Sequence, residues 1–232
     1  MQASIRRTGG SLAQYYTAPS EDFSRAGRIW YPTGGHTRFH RWRDTTMAYH
    51  EGVPGHHLQI ALALHQAQRL TRFQRLAVWY PGHGEGWALY AERLMAELGF
   101  LADPGDYLGM LLGQMHRAVR VVVDIGVHAE LPIPRSSSFE PGQPWTYARM
   151  LAFLMEQAQL PEDLARSEVL RYLGWPGQAI AYKVGERAWL QIREESRARH
   201  GAAFSLREFH NRALALGSLG LDLLGETLRH EY

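Results

Sequence analysis

Cysteine is absent from the 232 residues, and lysine occurs once, at Lys183. The first absence removes disulfides, thiolate metal ligands and cysteine nucleophiles, so any metal site has to be built from His, Asp and Glu. It leaves the compartment open, because a cysteine-free chain suits both cytoplasm and periplasm. No apolar run approaches the roughly 20 residues needed to span a bilayer. Met1–Gly10 holds no apolar signal core. As written, the chain reads as soluble and without an export address, either cytoplasmic or part of an exported precursor. A net charge of +2, carried by scattered arginines, gives no basis for nucleic-acid binding. The pair E-x-x-H is missing too, which argues against a di-metal carboxylate site assembled from two antiparallel helices.

Hydrophobic residues make up 45% and charged residues 21%, the balance of a globular chain with a genuine core. Residues 1–40 are rich in Gly, Ser, Thr, Pro and aromatics, with Gly27–Gly35 the convincing extended segment. From about Arg41 the apolar spacing turns helical, and one helix is expected to end on Gly99 as its C-cap. Leu131–Pro144 reads as a loop, and helical patterns resume from Trp145 to about Gly217. The expectation is a mostly α, multi-helix single domain over 1–232, with one or two strands near the N-terminus.

Three histidines and a glutamate fall within eight residues in "HEGVPGHH", His50 to His57. A helical zinc site uses H-E-x-x-H, where two histidines one turn apart share a face and the glutamate reaches the water. Here Pro54 stands where the second histidine belongs. His56 lies six residues after His50, which on a straight helix points well off the first face. His57, seven on, returns to that face but about 10 Å along the axis. An unbroken helix therefore supports no site. Pro54–Gly55 breaks it, since proline disrupts the hydrogen bonding one turn back and glycine accepts unusual backbone angles. A two-residue bulge there brings His56 round to join His50, with Glu51 as general base and His57 as a neighbour facing substrate.

A third ligand is sought in "GHGEGWALYAERL". Glu85 sits near an expected helix start, where the helix dipole favours a carboxylate. Glu92, seven residues on, shares a similar face and reads as a supporting or salt-bridging residue. His83 is the lower-ranked alternative ligand. Arg120, Asp124 and His128 are spaced four apart and share a face, so Asp124 is placed to orient a histidine. Gln178, Tyr182 and Glu186 form a similar row, with Pro176 at a helix start.

Five segments, "HEGVPGHHLQ", "EGWALYAE", "RAVRVVVDIGVH", "RYLGWPGQAIAYKVG" and "FHNRALALGSLGL", occur in an order that resembles the bacterial domain-of-unknown-function 885 family, over essentially the whole chain. That family resembles the helical glutamate-zincin peptidases, such as thimet oligopeptidase and angiotensin-converting enzyme. Gly55–His56 resembles the final pair of their H-E-x-G-H core, which favours His56 over His57. The resemblance implies a zinc-dependent metallopeptidase with Zn2+ on His50, His56 and Glu85, and Glu51 as base. Tyr182, with His128 second, is implied as the oxyanion stabiliser. Lys183 is a candidate anchor for a substrate carboxylate, and Arg171, Tyr172 and His210 belong to the family pattern. The expected partner is a peptide or small amide. Family members are typically longer, so a missing N-terminal region or a second copy is expected to complete the cleft. The alternative is a truncated, non-catalytic helical metal-binding or interaction module.

Overall fold

Proline, glycine and short polar side chains set where the helices of this chain begin and end. The computed structural model describes residues 1–6 and 12–231. Arg7–Gly10, part of the opening segment read as lacking a signal core, lie outside the described residues. Strands β1 (Gln2–Arg6), β2 (Tyr15–Thr17) and β3 (Arg28–Pro32) form one sheet in the order β1-β3-β2. β1 runs parallel to β3, pairing Gln2 with Arg28, and β2 runs antiparallel to it, pairing Tyr16 with Ile29. Only β3 stands out in the sequence. β1, QASIR, has one β-branched residue, so its conformation comes from pairing with β3 rather than from local preference.

The helices are α1 (Arg41–Glu51), α2 (His56–His65), α3 (Arg72–Leu76), α4 (Pro81–Glu97) and α5 (Pro104–His128). They continue as α6 (Tyr147–Gln157), α7 (Glu162–Gly174), α8 (Ala181–His200), α9 (Leu206–Ala215) and α10 (Leu221–Glu231). The fold is mostly α, as the periodicity predicts. Helix α5 starts on Pro104 with Asp103 capping the free N–H groups of Gly105 and Asp106. Gly99, at φ +84°, follows the end of α4, where the left-handed region closes a helix without a Cβ penalty.

Two boundaries differ from expectation. Helix α4 begins at Pro81, so Glu85 lies a full turn inside it and not at its start. Helix α8 begins at Ala181, leaving Pro176 and Gln178 in the preceding turn. Helices α3 and α10 are additions that the sequence pattern did not single out.

The two helices central to the site, α4 and α8, touch backbone to backbone. A Cβ on Gly86 would stand 2.5 Å from Gly185 Cα, and one on Gly185 would stand 2.7 Å from Gly86 Cα. Glycine at both positions is therefore what permits this close crossing. Beyond it, Trp87, Tyr90 and Leu94 of α4 pack with Trp189 and Ile192 of α8, and with Phe209, Leu224 and Leu228 of α9 and α10. A second core joins Val119 and Val123 of α5 to Met150 and Leu154 of α6 and Val169 of α7. Among the described residues no helix is long and apolar enough to cross a membrane.

Candidate metal centre

The expected bulge is a complete break. Helix α1 stops at Glu51, four residues turn the chain, and His56 opens α2. Pro54 has no N–H to offer the carbonyl one turn back. The Gly55 N–H instead reaches Tyr49 O at 3.0 Å, and the His57 N–H reaches Gly52 O at 3.1 Å. A Cβ at Gly55 would collide with the carbonyl oxygens of Tyr49 and His50, so the reversal demands glycine there.

This reversal turns His56 back onto His50, with ring centroids 4.8 Å apart and nearly perpendicular. Glu85 comes from α4 to meet both. Its Oε2 lies 3.4 Å from His50 Nε2 and 3.3 Å from His56 Nε2. These separations exceed those of charge-assisted hydrogen bonds, roughly 2.7–2.9 Å. They equal the edges of a tetrahedron whose corners lie roughly 2.0–2.1 Å from its centre, about 3.3–3.4 Å, the dimensions of a zinc site. Glu85 Oε2 and His56 Nδ1 are buried without a hydrogen-bond partner. Two imidazoles and a carboxylate are a donor set suited to zinc, and the residues present fit that ion.

Glu92 fixes His50. Its Oε1 lies 2.8 Å from His50 Nδ1, which leaves Nε2 turned toward Glu85. Thr46 donates to the other Glu92 oxygen, and Arg117 stands 3.7 Å from the carboxylate. An acceptor on the remote nitrogen sets the tautomer and aim of a ligand histidine. Burial by itself would lower the His50 pKa, but the carboxylates of Glu85 and Glu92 outweigh it and hold it at about 9. Glu85 shows the reverse. Burial opposes its charge, and the two imidazoles outweigh burial and keep it below the usual carboxylate range.

Glu51 is buried at the end of α1, with an oxygen within 4.8 Å of one ring nitrogen of His50 and one of His56. Burial pushes its pKa up, against the pull of both histidines. Tyr182 of α8 stacks with the His50 ring at 6.0 Å. Its hydroxyl is raised in pKa by burial and by Glu85, so it stays a proton donor. All of these groups line one cavity of about 610 Å³, which Arg117, Arg120, Arg171, Glu168 and Trp79 also line.

Other expected residues lie elsewhere. The His128 Nδ1 binds the Asp124 carboxylate at 2.7 Å, and His128 is outside the cavity lining. Its row on α5 diverges because Asp124 accepts the Gly177 N–H while Arg120 turns to Glu168. His57 pairs with the Tyr16 hydroxyl of β2 at 2.7 Å, which ties the sheet to α2. His83 is buried, accepting from Leu219 N and packed edge-on against Trp189. Lys183 reaches Gln114 and Glu186, bracing α8 against α5. His210 Nε2 meets the Tyr90 hydroxyl at 2.7 Å. Sequence reasoning missed Thr46, Arg117 and Glu168. Thr46 is one turn before His50, and Arg117 one turn before Arg120, so helical spacing held the signal.

Fold and site together define a mostly α-helical protein with a buried His–His–carboxylate cluster at the edge of a cavity. The chain belongs to the bacterial proteins of unknown function grouped as DUF885, whose profile matches residues 1–228. It is similar to a crystal structure described as that of a candidate lipoprotein from Colwellia psychrerythraea. That protein is 35% identical with a TM-score of 0.86, over 99% of this chain and 38% of the other. A candidate lipoprotein of unknown function from Shewanella oneidensis, at 21% identity and a TM-score of 0.73, shares the fold over 97% of this chain and 40% of its own. The chain therefore spans less than half the length of these two proteins. No curated protein matches it.

Proposed function

We propose that this chain carries the zinc-binding and hydrolytic centre of a peptidase of the glutamate-zincin kind. The observation that supports it most is the approach of Glu85 Oε2 to both His50 Nε2 and His56 Nε2, each at a tetrahedral-edge distance. A zinc ion held by these three would supply Lewis acidity toward water and toward a substrate carbonyl. Glu51 takes the proton of the attacking water and returns it to the departing amine nitrogen. Tyr182 donates its hydroxyl to the carbonyl oxygen as negative charge develops there. Glu92 holds His50 in the tautomer that keeps its lone pair in the centre. The substrate in this reading is a peptide or small amide.

A second reading is a non-catalytic helical metal-binding or interaction module built on the same residues. Metal analysis of the purified protein tests the first reading. We expect one zinc per chain, lost in His50→Ala and kept in Glu51→Gln, with cleavage of a broad peptide library lost in both. A protein that binds no metal would sink the proposal. Zinc with an uncut library would favour the module.

A further inference from the structure

One wall of the cavity is made of guanidinium groups that the protein's own carboxylates only partly neutralise. Arg117 and Arg120 come from α5 and Arg171 from α7, and all three line the cavity that His50, His56 and Glu85 share. Glu168 receives Arg120 Nη2 and Arg171 Nη2 on the same oxygen, at 2.8 Å each, together with the Tyr172 hydroxyl at 2.7 Å. One carboxylate thus answers two guanidiniums. Arg117 has Glu92 at 3.7 Å, but that carboxylate already engages His50 at 2.8 Å. Each arginine also keeps one buried nitrogen without a hydrogen-bond partner: Arg117 Nε, Arg120 Nη1 and Arg171 Nε. Charged donors left unpaired in a protein interior are costly, and three guanidiniums lining the cavity with one shared carboxylate between two of them leave an excess of positive charge that suits an anion.

We propose that this wall is a carboxylate-binding subsite that anchors an acidic group of the ligand beside the metal centre. Guanidinium forks match a carboxylate in plane and charge, which an ammonium cannot do. The single lysine of the chain is committed elsewhere, to Gln114 and Glu186. The Tyr182 ring links the two regions, stacked with His50 at 6.0 Å and lying 4.6 Å from the Arg120 guanidinium carbon. Together these contacts put the subsite within roughly three residues of extended peptide from His50. The carboxylate is therefore either the C-terminus of a short peptide or an acidic side chain close to the bond that is cut. The inference rests on the peptidase reading only in calling the ligand a substrate, because anion binding by the arginines needs no metal.

The test uses the full chain, stripped of metal by a chelator, and three N-terminally fluorescein-labelled tetrapeptide pools. The first is built from Ala, Phe and Ser with a free C-terminus, the second is the same pool amidated, and the third is amidated with glutamate last. Polarisation should show the first or third pool binding at least about tenfold tighter than the second. The one that does so identifies the source of the carboxylate. Arg171→Met should shrink that preference to less than about threefold, and Arg171→Lys, which keeps the charge and loses the fork, should fall between. Thermal melts establish that each variant is folded. Equal binding of all three pools, no binding of any, or a preference unchanged in folded Arg171→Met and Arg171→Lys would overturn the subsite. Metal analysis is read separately, so failure here leaves the zinc reading standing, and failure there leaves this one.

Discussion

His50 is made directional by its neighbours. Its Nδ1 is held by Glu92, which is in turn held by Thr46, so the imidazole has one nitrogen left for the centre. Glu92 is fully buried and makes no approach to the cavity, yet it governs the residue that does. Glu92→Gln keeps an oxygen for His50 but removes the charge that stabilises the pair. We expect zinc affinity to fall about 10- to 100-fold, read by chelator competition, with the helical content unchanged. Affinity equal to that of the parent would reduce Glu92 to a packing residue. The sequence places Glu92 near this role, since it lies seven residues after Glu85 on one helix. Thr46 shares the His50 face of α1 by helical spacing, but that it meets Glu92 depends on where α4 crosses α1.

At the scale of elements, the centre depends on two close approaches made by glycine. Gly55 lets the chain reverse between α1 and α2, and the Gly86–Gly185 contact lets α4 and α8 cross in direct backbone contact. The second crossing sets the distance from Glu85, next to Gly86, to Tyr182, three residues before Gly185. A methyl group at position 185 has no space to occupy, so the helices must separate. Gly185→Ala should cost about 1–3 kcal/mol in denaturant unfolding. It should also weaken zinc binding without touching a ligand. Unchanged stability would mean that the crossing relaxes freely. The Pro–Gly break is legible in "HEGVPGHH", because a straight helix cannot use these histidines together. The α4–α8 crossing is not legible, since one glycine within a helical pattern looks like any other. The helix start at Pro81 was hidden for a similar reason: three glycines and one proline in "YPGHGEG" are weak helix formers, and tertiary contacts hold them helical.

For the whole molecule, buried histidines tie stability to pH. Burial lowers the pKa of His83 to about 4, of His116 to about 3 and of His210 to about 4, against an ordinary 6.5, with Arg120 adding to the shift at His116. Between those values and 6.5 the unfolded chain binds protons that the folded chain refuses, so stability falls as pH drops through this window. His50, raised to about 9 in the metal-free protein, works the other way. Its contribution is complete below 6.5 and is lost as pH rises through 9. The metal-free protein should therefore show its highest Tm near pH 6.5, with a decline on both sides. A Tm that climbs steadily from pH 4 to pH 9 would contradict this assignment. Read alone, the sequence determined the helical class, the absence of thiolate chemistry and the residues able to meet around the Pro–Gly break, because periodicity, composition and backbone chemistry are local properties. Tertiary structure decided what distance in space decides: that Glu85 reaches both histidines, that Glu92 steers one of them, that His128 and Lys183 serve other contacts, and that three arginines share a wall with the centre.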